Sequence, residues 1–374
     1  MRFLRHSRSK NHYLCKKNKM ENPKIKVGIT HGDINGIGYE VIIKTLAETQ
    51  LLELCTPIIY GSSKVASFHR KMLEIPNFSM NTIRSANEAN PSRVNVVNIS
   101  EEEIKVDIGT STKIAGDAAL SALEKAVSEL KNGAIDVLIT APINKENIQS
   151  EKFSFPGHTE YLEANFDQKD NSLMLMVSGY IRIAVATTHL PLSKVAQTLS
   201  TELILKKLRR LHRSLIQDFG INLPRIAVLG LNPHAGDNGT IGTEEQEIII
   251  PAMQQAEKEG IVCVGVYPAD GLFGSGNFTK FDAVLAMYHD QGMIPFKCLA
   301  MEAGVNFTAG LNIVRTSPAH GTAYDIAGKN VASEASFRNA LYLACDVFRS
   351  RKRYKEMSDN KLPETPKNNK KEDF

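Results

Sequence analysis

Short apolar runs rich in β-branched residues alternate with amphipathic stretches along nearly the whole chain. Nine runs have the length and composition of buried strands, and polar or turn-forming residues bound each of them. They span residues 24–29, 57–60, 94–97, 137–139, 173–177, 181–186, 225–229, 262–266 and 283–287. Between them, segments such as 115–132, 192–219 and 243–259 repeat apolar residues every three or four positions, as one face of a helix requires. This alternation predicts an α/β fold with helices on both faces of a parallel or mixed sheet.

Three of these runs lead to a histidine, namely His189, His234 and His289. Ligands of open α/β sheets bind just beyond the carboxyl ends of the strands, so three imidazoles in this position could converge on one point. One histidine at a strand end is more often structural, but three in the same setting favour a metal site. Neutral imidazole suits zinc, cobalt, nickel and iron, and three protein ligands leave coordination positions open, as in catalytic sites. Because no carboxylate ligand is assigned, the identity of the metal stays open.

Composition narrows the class of protein. No apolar run in the 374 residues reaches the roughly 18–20 residues that cross a bilayer. The five cysteines are odd in number and lack C-x-x-C spacing, which favours a reducing compartment and predicts a cytoplasmic protein. Seven of the 45 Lys and Arg residues lie in positions 1–20, which hold no acid, so the rest carries 38 basic against 41 acidic side chains. A nearly neutral body gives no reason to expect nucleic acid as a partner.

Both ends of the chain differ from the body. Residues 1–20 lack an apolar core, so they are not a secretory signal, and they are predicted to be disordered, with Met20 as a possible true start. A basic binding arm is the alternative. The last helix is predicted over 333–349, and the charged tail 351–374 is predicted to be disordered.

Several loops carry residues suited to ligand binding. The Gly-rich segment 31–40 follows the first run, lacks the dinucleotide fingerprint, and is equally well a tight turn or a ligand loop. His158 and Thr159 in F-P-G-H-T-E-Y suit recognition of a polar substrate, or a helix cap beside a surface histidine. The loop 231–245 is interpreted mainly as the holder of His234, with Thr243 and Gln246 forming a capping box at the start of the next helix.

Two later segments extend this set. In Y-H-D-Q-G-M-I-P-F-K, Asp290 could orient His289 or bind the metal, and Lys297 could meet a phosphate or carboxylate or be an ordinary surface lysine. In P-A-H-G-T-A-Y-D-I-A-G-K, small residues would let a loop close over a flat ligand. By itself this second segment is weakly specific.

Taken in order, the motifs G-H-T-E-Y, T-T-H-L-P-L, L-N-P-H-A-G, G-T-E-E, Y-H-D-Q-G and G-L-N-I-V-R-T-S-P-A-H-G-T-A resemble those of the 4-hydroxythreonine-4-phosphate dehydrogenase family of pyridoxal phosphate biosynthesis. The resemblance covers roughly residues 24–349. That family belongs with the isocitrate and isopropylmalate dehydrogenases, and H-G-T-A-Y-D-I-A-G-K is similar to their adenine-side cofactor loop.

The resemblance implies a fold of two α/β/α domains with mixed, largely parallel sheets and a cleft between them. The first domain would comprise 21–140 and 305–350, and the second, 141–304, would carry the metal site and the dimer interface. The resemblance also implies a homodimer with a shared site, in which one histidine of the metal set comes from the partner subunit. The metal would be Zn, Mg or Co, and the cofactor NAD or NADP.

Site residues can be transferred by motif. The metal ligands are His189, His234 and His289; the substrate contacts are His158, Thr159, Lys297, Asn306 and Arg315; the cofactor contacts are His320, Gly321, Ala323, Asp325 and Ile326. The implied reaction oxidises the C3 hydroxyl of 4-phosphohydroxy-L-threonine and then releases carbon dioxide, giving 3-amino-2-oxopropyl phosphate. Lys297, Asp270 and Asp290 are the candidates for the base that accepts the hydroxyl proton.

Three alternatives stay open at this point. A paralogous dehydrogenase could oxidise a four-carbon aldonate phosphate such as threonate or erythronate 4-phosphate, because no motif reports on the substrate amino group. A metal-dependent phosphatase would also use three histidines, although it needs no adenine loop. A non-catalytic binding protein would leave the many polar loops unexplained.

Overall fold

In the part of the chain that the structure describes, twelve strands form one continuous sheet. The computed structural model describes residues 24–166 and 171–360, so the predicted disorder of residues 1–20 lies outside the described part. The strands are β1 Ile25–Thr30, β2 Cys55–Gly61, β3 Met80–Ile83, β4 Val94–Asn98, β5 Val137–Thr140, β6 Leu173–Val177, β7 Arg182–Val185, β8 Arg225–Leu229, β9 Val262–Tyr267, β10 Ala283–Ala286, β11 Val305–Ala309 and β12 Arg315–Pro318. All nine predicted strands are present, and β3, β11 and β12 are additional.

Helices cover the sheet. They are α1 Gly38–Leu46, α2 Leu51–Leu54, α3 Ser63–Met72, α4 Lys113–Lys131, α5 His158–Asn165, α6 Leu192–Thr198, α7 Thr201–Gln217, α8 Ile250–Lys258, α9 Ala269–Gly274, α10 His289–Ala300 and α11 Ala335–Asp359. A π-helical turn, Glu245–Ile249, leads directly into α8. No helix in the described ranges is long and apolar enough to cross a membrane.

The strand order is β3-β4-β2-β1-β5-β12-β11-β6-β7-β10-β8-β9. Eight neighbouring pairs are parallel, and three are antiparallel: β11 with β12, β11 with β6, and β6 with β7. The fold is therefore α/β with a mixed, mostly parallel sheet, as predicted. After β10 the chain returns to the middle of the sheet, where β11 and β12 join its two parallel regions. The domain boundaries proposed from the sequence stay a prediction.

Helix α4 illustrates how the sequence produces these layers. Its N-cap, Thr112, accepts a hydrogen bond from the backbone N–H of Ala115 at 3.2 Å, which satisfies one of the donors that a helix start leaves free. Leu120, Leu123 and Val127 follow at helical spacing and are buried against the sheet.

Three local predictions were wrong. The stretch 192–219 is two helices, α6 and α7, because Leu199 leaves helical geometry and Ser200 caps the second one. The side chain of Thr243 makes no cap; the π-helical turn begins after Glu244 without a side-chain cap. The last helix continues past 349 to Asp359, so the predicted disorder of the tail is wrong for residues 351–359. Residues 361–374 lie outside the described part.

The continuation of α11 has a clear cause. Arg351 donates from Nε to Asp218 at 2.6 Å and from Nη1 to the carbonyl of Ile313 at 2.9 Å. A charge-rich sequence that reads as a solvated tail is thus tied to the body of the protein by one partly buried ion pair.

Candidate active site

A cleft of about 320 Å³ lies beyond the carboxyl ends of β5, β7 and β10 and is also bordered by β11 and β12. This is the edge at which open α/β sheets bind ligands. Nine of the predicted site residues line it: His158, Thr159, His189, His289, Lys297, Asn306, Arg315, His320 and Gly321. Residues that are more than 160 positions apart therefore meet in one place.

Arg315 is the most unusual group in the cleft, since only 4% of its surface is exposed. Its Nε and Nη2 donate to the hydroxyl of Thr140 at 3.0 and 2.6 Å, and its Nη1 donates to the hydroxyl of Thr308 at 3.1 Å. No carboxylate of the described residues forms an ion pair with it, and burial lowers its pKa to about 10, while Glu160 opposes the shift. A buried guanidinium that only neutral hydroxyls hold is suited to an anionic ligand.

The start of α5 adds further donors. His158 and Thr159 are its first two residues, and no side chain caps this helix end. Free backbone N–H groups and the helix dipole make such an end favourable for an anion. The Nε2 atom of His158 is buried without a hydrogen-bond partner among the described residues, and burial, helped by Arg315 and Lys145, lowers the pKa of this ring well below its usual value.

Three lysines complete the charge distribution of the cleft. Lys145, Lys207 and Lys297 line it together with Arg315, whereas Glu160 is the one carboxylate among the described lining residues. Lys145, Lys297 and Arg315 against one carboxylate favour a ligand with several negative charges in this cleft.

The three histidines follow β7, β8 and β10, which are neighbours in the sheet. His189 and His289 line the cleft, but His234 is exposed on the loop after β8 and does not. Burial lowers the pKa of His189, and the charges of Lys145 and His289 lower it further. The carboxylate of Glu160 acts in the opposite direction and raises it. Within the described part of one chain, no three His, Cys, Asp or Glu side chains come together as a metal site.

Glu245 holds the loop that carries His234. Its carboxylate is 3% exposed and accepts hydrogen bonds from the backbone N–H groups of Leu231 and Asn232 at 2.7 and 2.8 Å and from the Asn232 side chain at 3.0 Å. The five residues from His234 to Asn238 all have positive φ angles of 42–79°. Such a run is costly for residues other than glycine and persists only where its surroundings enforce it, so the contacts of Glu245 fix the conformation of the loop on which His234 lies.

The segment predicted to bind the cofactor lies at one rim of the cleft. His320 and Gly321 line it, and Nε2 of His320 is buried without a hydrogen-bond partner among the described residues. Ala323 has a positive φ of 46°, Asp325 is exposed and Ile326 is half-buried, and none of these three lines the cleft.

The Gly-rich segment 31–40 is hydrogen-bonded to the segment that follows this rim. Tyr324 donates to the buried carboxylate of Asp33 at 2.7 Å, and the backbone N–H of Ile37 donates to the carbonyl of Thr322 at 3.0 Å. A Cβ at Gly36 would lie 2.6 Å from that carbonyl, so only glycine fits there. Residues 31–40 are all buried, and none of them lines the cleft.

The candidate bases differ in position. Lys297 lines the cleft, whereas Asp270 and Asp290 are exposed and do not. The carboxylate of Asp290 accepts a hydrogen bond from Nδ1 of His289 at 2.7 Å, which fits the orienting role considered for it. Asp270 lies in the first turn of α9.

Sequence reasoning missed Lys145, Lys207 and Glu160. Glu160 stands inside G-H-T-E-Y, and Lys145 follows β5 closely, so their positions relative to motif and strand end could have indicated them. Lys207 belongs to the charged run K-K-L-R-R of α7, where nothing in the pattern separates it from solvated neighbours.

Comparison with known proteins identifies the family of this chain. The family described as pyridoxal phosphate biosynthetic protein PdxA matches residues 53–344. A 4-hydroxythreonine-4-phosphate dehydrogenase of Bacteroides thetaiotaomicron is 60% identical over 344 residues, covering 92% of this chain and 94% of that protein. A D-threonate 4-phosphate dehydrogenase of Cupriavidus necator is 40% identical, covering 84% and 95%.

A solved structure shows the same fold. The crystal structure of 4-hydroxythreonine-4-phosphate dehydrogenase from Klebsiella pneumoniae superimposes with a TM-score of 0.76 at 34% identity, covering 87% of this chain and 99% of that one. The chain therefore belongs to the PdxA family and is an oxidoreductase of the dehydrogenase type.

Proposed function

We propose that the enzyme oxidises the C3 hydroxyl of 4-phosphohydroxy-L-threonine with NAD⁺ or NADP⁺ and that loss of carbon dioxide then yields 3-amino-2-oxopropyl phosphate for pyridoxal phosphate biosynthesis. The buried guanidinium of Arg315, without a carboxylate partner among the described residues, carries this proposal. With three lysines nearby, it suits a substrate that has both a phosphate and a carboxylate.

The residues divide the task as follows. Arg315, Lys297 and Asn306 bind the acidic groups, and the start of α5 at His158 and Thr159 supplies further donors. The hydroxyl proton must pass to a base as the hydride leaves. Lys297 is the candidate base that lines the cleft, and Asp270 or Asp290 would need a change in position to act there.

A divalent metal, Zn, Mg or Co, would be held by His189, His234 and His289. The donor chemistry fits such a metal, and two of the rings already face one cleft, but one chain does not bring the third to them. Bound there, the metal would lower the pKa of the substrate hydroxyl and so favour departure of the hydride.

The nicotinamide cofactor, which accepts the hydride, would lie against the rim formed by His320 and Gly321. The unpartnered Nε2 of His320 offers it a polar contact. Ala323, Asp325 and Ile326 continue this rim away from the substrate, as the adenine side of a long cofactor requires.

A homodimer would complete the metal site. Edge strand β9 and helix α10 expose apolar side chains, with Val262 45%, Val264 36% and Ile294 61% exposed. Surfaces of this kind are favourable for subunit contact. A second copy would supply the missing histidine and cover these side chains. The test measures the oligomeric state and the metal content per chain in Ile294→Asp. Both the dimer fraction and the metal content should fall in this variant.

The substrate could instead be an aldonate phosphate, since a D-threonate 4-phosphate dehydrogenase is among the relatives. Glu160 favours the amino acid, because it is a carboxylate in the cleft that can pair with an ammonium group, which an aldonate lacks. Glu160 also lies 3.9 Å from Nδ1 of His189, so its carboxylate could pair either with this ring or with a substrate ammonium group. A comparison of substrates with and without the amino group separates these two roles.

The deciding experiment follows the absorbance of reduced nicotinamide with 4-phosphohydroxy-L-threonine, D-threonate 4-phosphate and D-erythronate 4-phosphate, each with NAD⁺ and NADP⁺, before and after chelation and metal restoration. We expect the highest kcat/KM for the amino acid and loss of activity on chelation. Faster turnover of an aldonate would replace the substrate assignment. Phosphate release without cofactor reduction would indicate a hydrolase and overturn the proposal.

A further inference from the structure

A second cavity, of about 460 Å³, lies between the last turns of α7 and the last turns of α11, where the β11–β12 turn closes it. It is separate from the cleft, although the two are neighbours. Twelve residues line it: Asn171, Arg210, Arg213, Ser214, Gln217, Gly310, Leu311, Asn312, Arg351, Tyr354, Lys355 and Ser358.

The charge of this cavity is strongly positive. Arg210, Arg213, Arg351 and Lys355 line it, and no carboxylate is among its described lining residues. Asp218 lies behind the wall, where it binds Nε of Arg351 and accepts from the hydroxyl of Ser214, both at 2.6 Å. This one carboxylate therefore offsets only part of the charge of Arg213, Arg351 and Lys355.

One donor atom of Arg351 has no partner among the described residues. Its Nε and Nη1 are engaged by Asp218 and by the carbonyl of Ile313, but its Nη2 is buried without a partner among the described residues. Buried donors are usually satisfied, so this one indicates an acceptor that the protein's own described side chains do not provide.

The cavity does not belong to the machinery described above. Arg351, Tyr354, Lys355 and Ser358 follow residue 344, at which the match to the PdxA family ends. The two sites nevertheless share one carbonyl, that of Ser172, to which Lys207 donates from the cleft side and Arg210 from this side, each at 3.4 Å.

We propose that this cavity is a second anion site, which binds the phosphate group of a small phosphate monoester. Guanidinium and ammonium groups favour a dianionic phosphate, and the hydroxyls of Ser358 and Tyr354 supply neutral donors beside them. The volume admits a metabolite-sized ester, and the Tyr354 ring, 39% exposed, offers a flat surface to the rest of it.

Lysine acylation read by mass spectrometry tests the proposal residue by residue. The full-length enzyme is labelled with an amine-reactive acetyl ester in inorganic phosphate or in sodium chloride of equal ionic strength. For a millimolar Kd, phosphate at about 10 mM should slow acylation of Lys355 about tenfold. Lys206 and Lys352 lie exposed on the same two helices outside the cavity, and their rates should not change.

A pair of variants supplies the matched control. Arg213→Gln should abolish the protection of Lys355, whereas Lys206→Gln, the same kind of change on the same helix, should preserve it. Equal protection of Lys352 and Lys355, or none at Lys355, would overturn the proposal and leave these cations as partners of the two helix ends. Protection of Lys297 alone would support the substrate cleft but not this second site, so the two proposals can fail separately.

Discussion

Replacing Arg315 by methionine should make the enzyme more stable and less able to bind its substrate. The side chain is buried, and no carboxylate of the described residues pairs with it. Burial lowers its pKa from 12.5 to about 10, which means that the fold disfavours the charged form. The penalty applies at every pH below about 10, where the group is charged in both the folded and unfolded states, and it disappears only above the unfolded pKa.

The size of the effect follows from these values. A shift from 12.5 to about 10 corresponds to about 3 kcal/mol against folding. Methionine would remove that penalty but leave the hydroxyls of Thr140 and Thr308 without their donor, at a cost of about 1 kcal/mol each. The free energy of unfolding should therefore rise by about 1 kcal/mol. Loss of the cation should raise KM about 30-fold or more, which corresponds to about 2 kcal/mol of binding.

Urea unfolding at pH 7 and steady-state kinetics measure the two effects on the same preparation. Arg182→Met is the matched control, because Arg182 is also a partly buried arginine with a lowered pKa, stacks over Phe219 and lies outside the cleft. Its KM should equal that of the wild type. A large loss of stability in Arg315→Met with an unchanged KM would show that Arg315 is a structural residue and would refute the reasoning.

Three further predictions concern the groups that support the site. Burial lowers the pKa of both His31 and His69 from 6.5 to about 4, so the contribution of each ring to the free energy of unfolding should be constant above about pH 6.5 and fall by about 3 kcal/mol towards pH 4. Urea unfolding of His69→Gln between pH 7 and pH 4 should show a shallower fall than the wild type, and an unchanged slope would contradict the assignment. Glu245→Gln should weaken retention of the metal about tenfold or more, because charge-assisted hydrogen bonds of about 1.5–3 kcal/mol hold the loop of His234. The measurement is the metal content per chain after dialysis, and full retention would argue against this role of Glu245. Tyr324→Phe should raise the KM for the nicotinamide cofactor more than that for the substrate, because the hydroxyl ties the cofactor rim to Asp33, and equal changes in both would speak against a local effect.

Much of the fold could be predicted because most of its buried strands are short apolar runs that are recognisable in the sequence. Three strands were not predicted, and two of them, β11 and β12, carry Asn306 and Arg315; the sequence of β12, R-T-S-P, has almost no apolar residue. Their polar side chains line the cleft, so the requirement of the site overrides the usual pattern of a buried strand.

The candidate site shows a different limit. The sequence correctly placed His189, His234 and His289 after three strands, and the structure shows that these strands are neighbours, yet only His189 and His289 line the cleft. The left-handed turn that begins at His234 is held by hydrogen bonds to Glu245, eleven positions further on. A polar contact of this kind cannot be predicted from the spacing of apolar residues. The proposed completion of the metal site by a second copy is likewise a property that the periodicity of one chain cannot indicate.

The position of β11 and β12 between the two parallel regions of the sheet has a mechanical consequence. Both cleft walls are attached to this antiparallel pair, and Asn306 and Arg315 stand on it. If the walls turn relative to each other, the pivot lies in these strands, and points on a pivot move least. A ligand bound to Asn306 and Arg315 would therefore move little while His189 and His289, on the wall beyond β6, approach it or move away, so opening of that wall need not release the ligand.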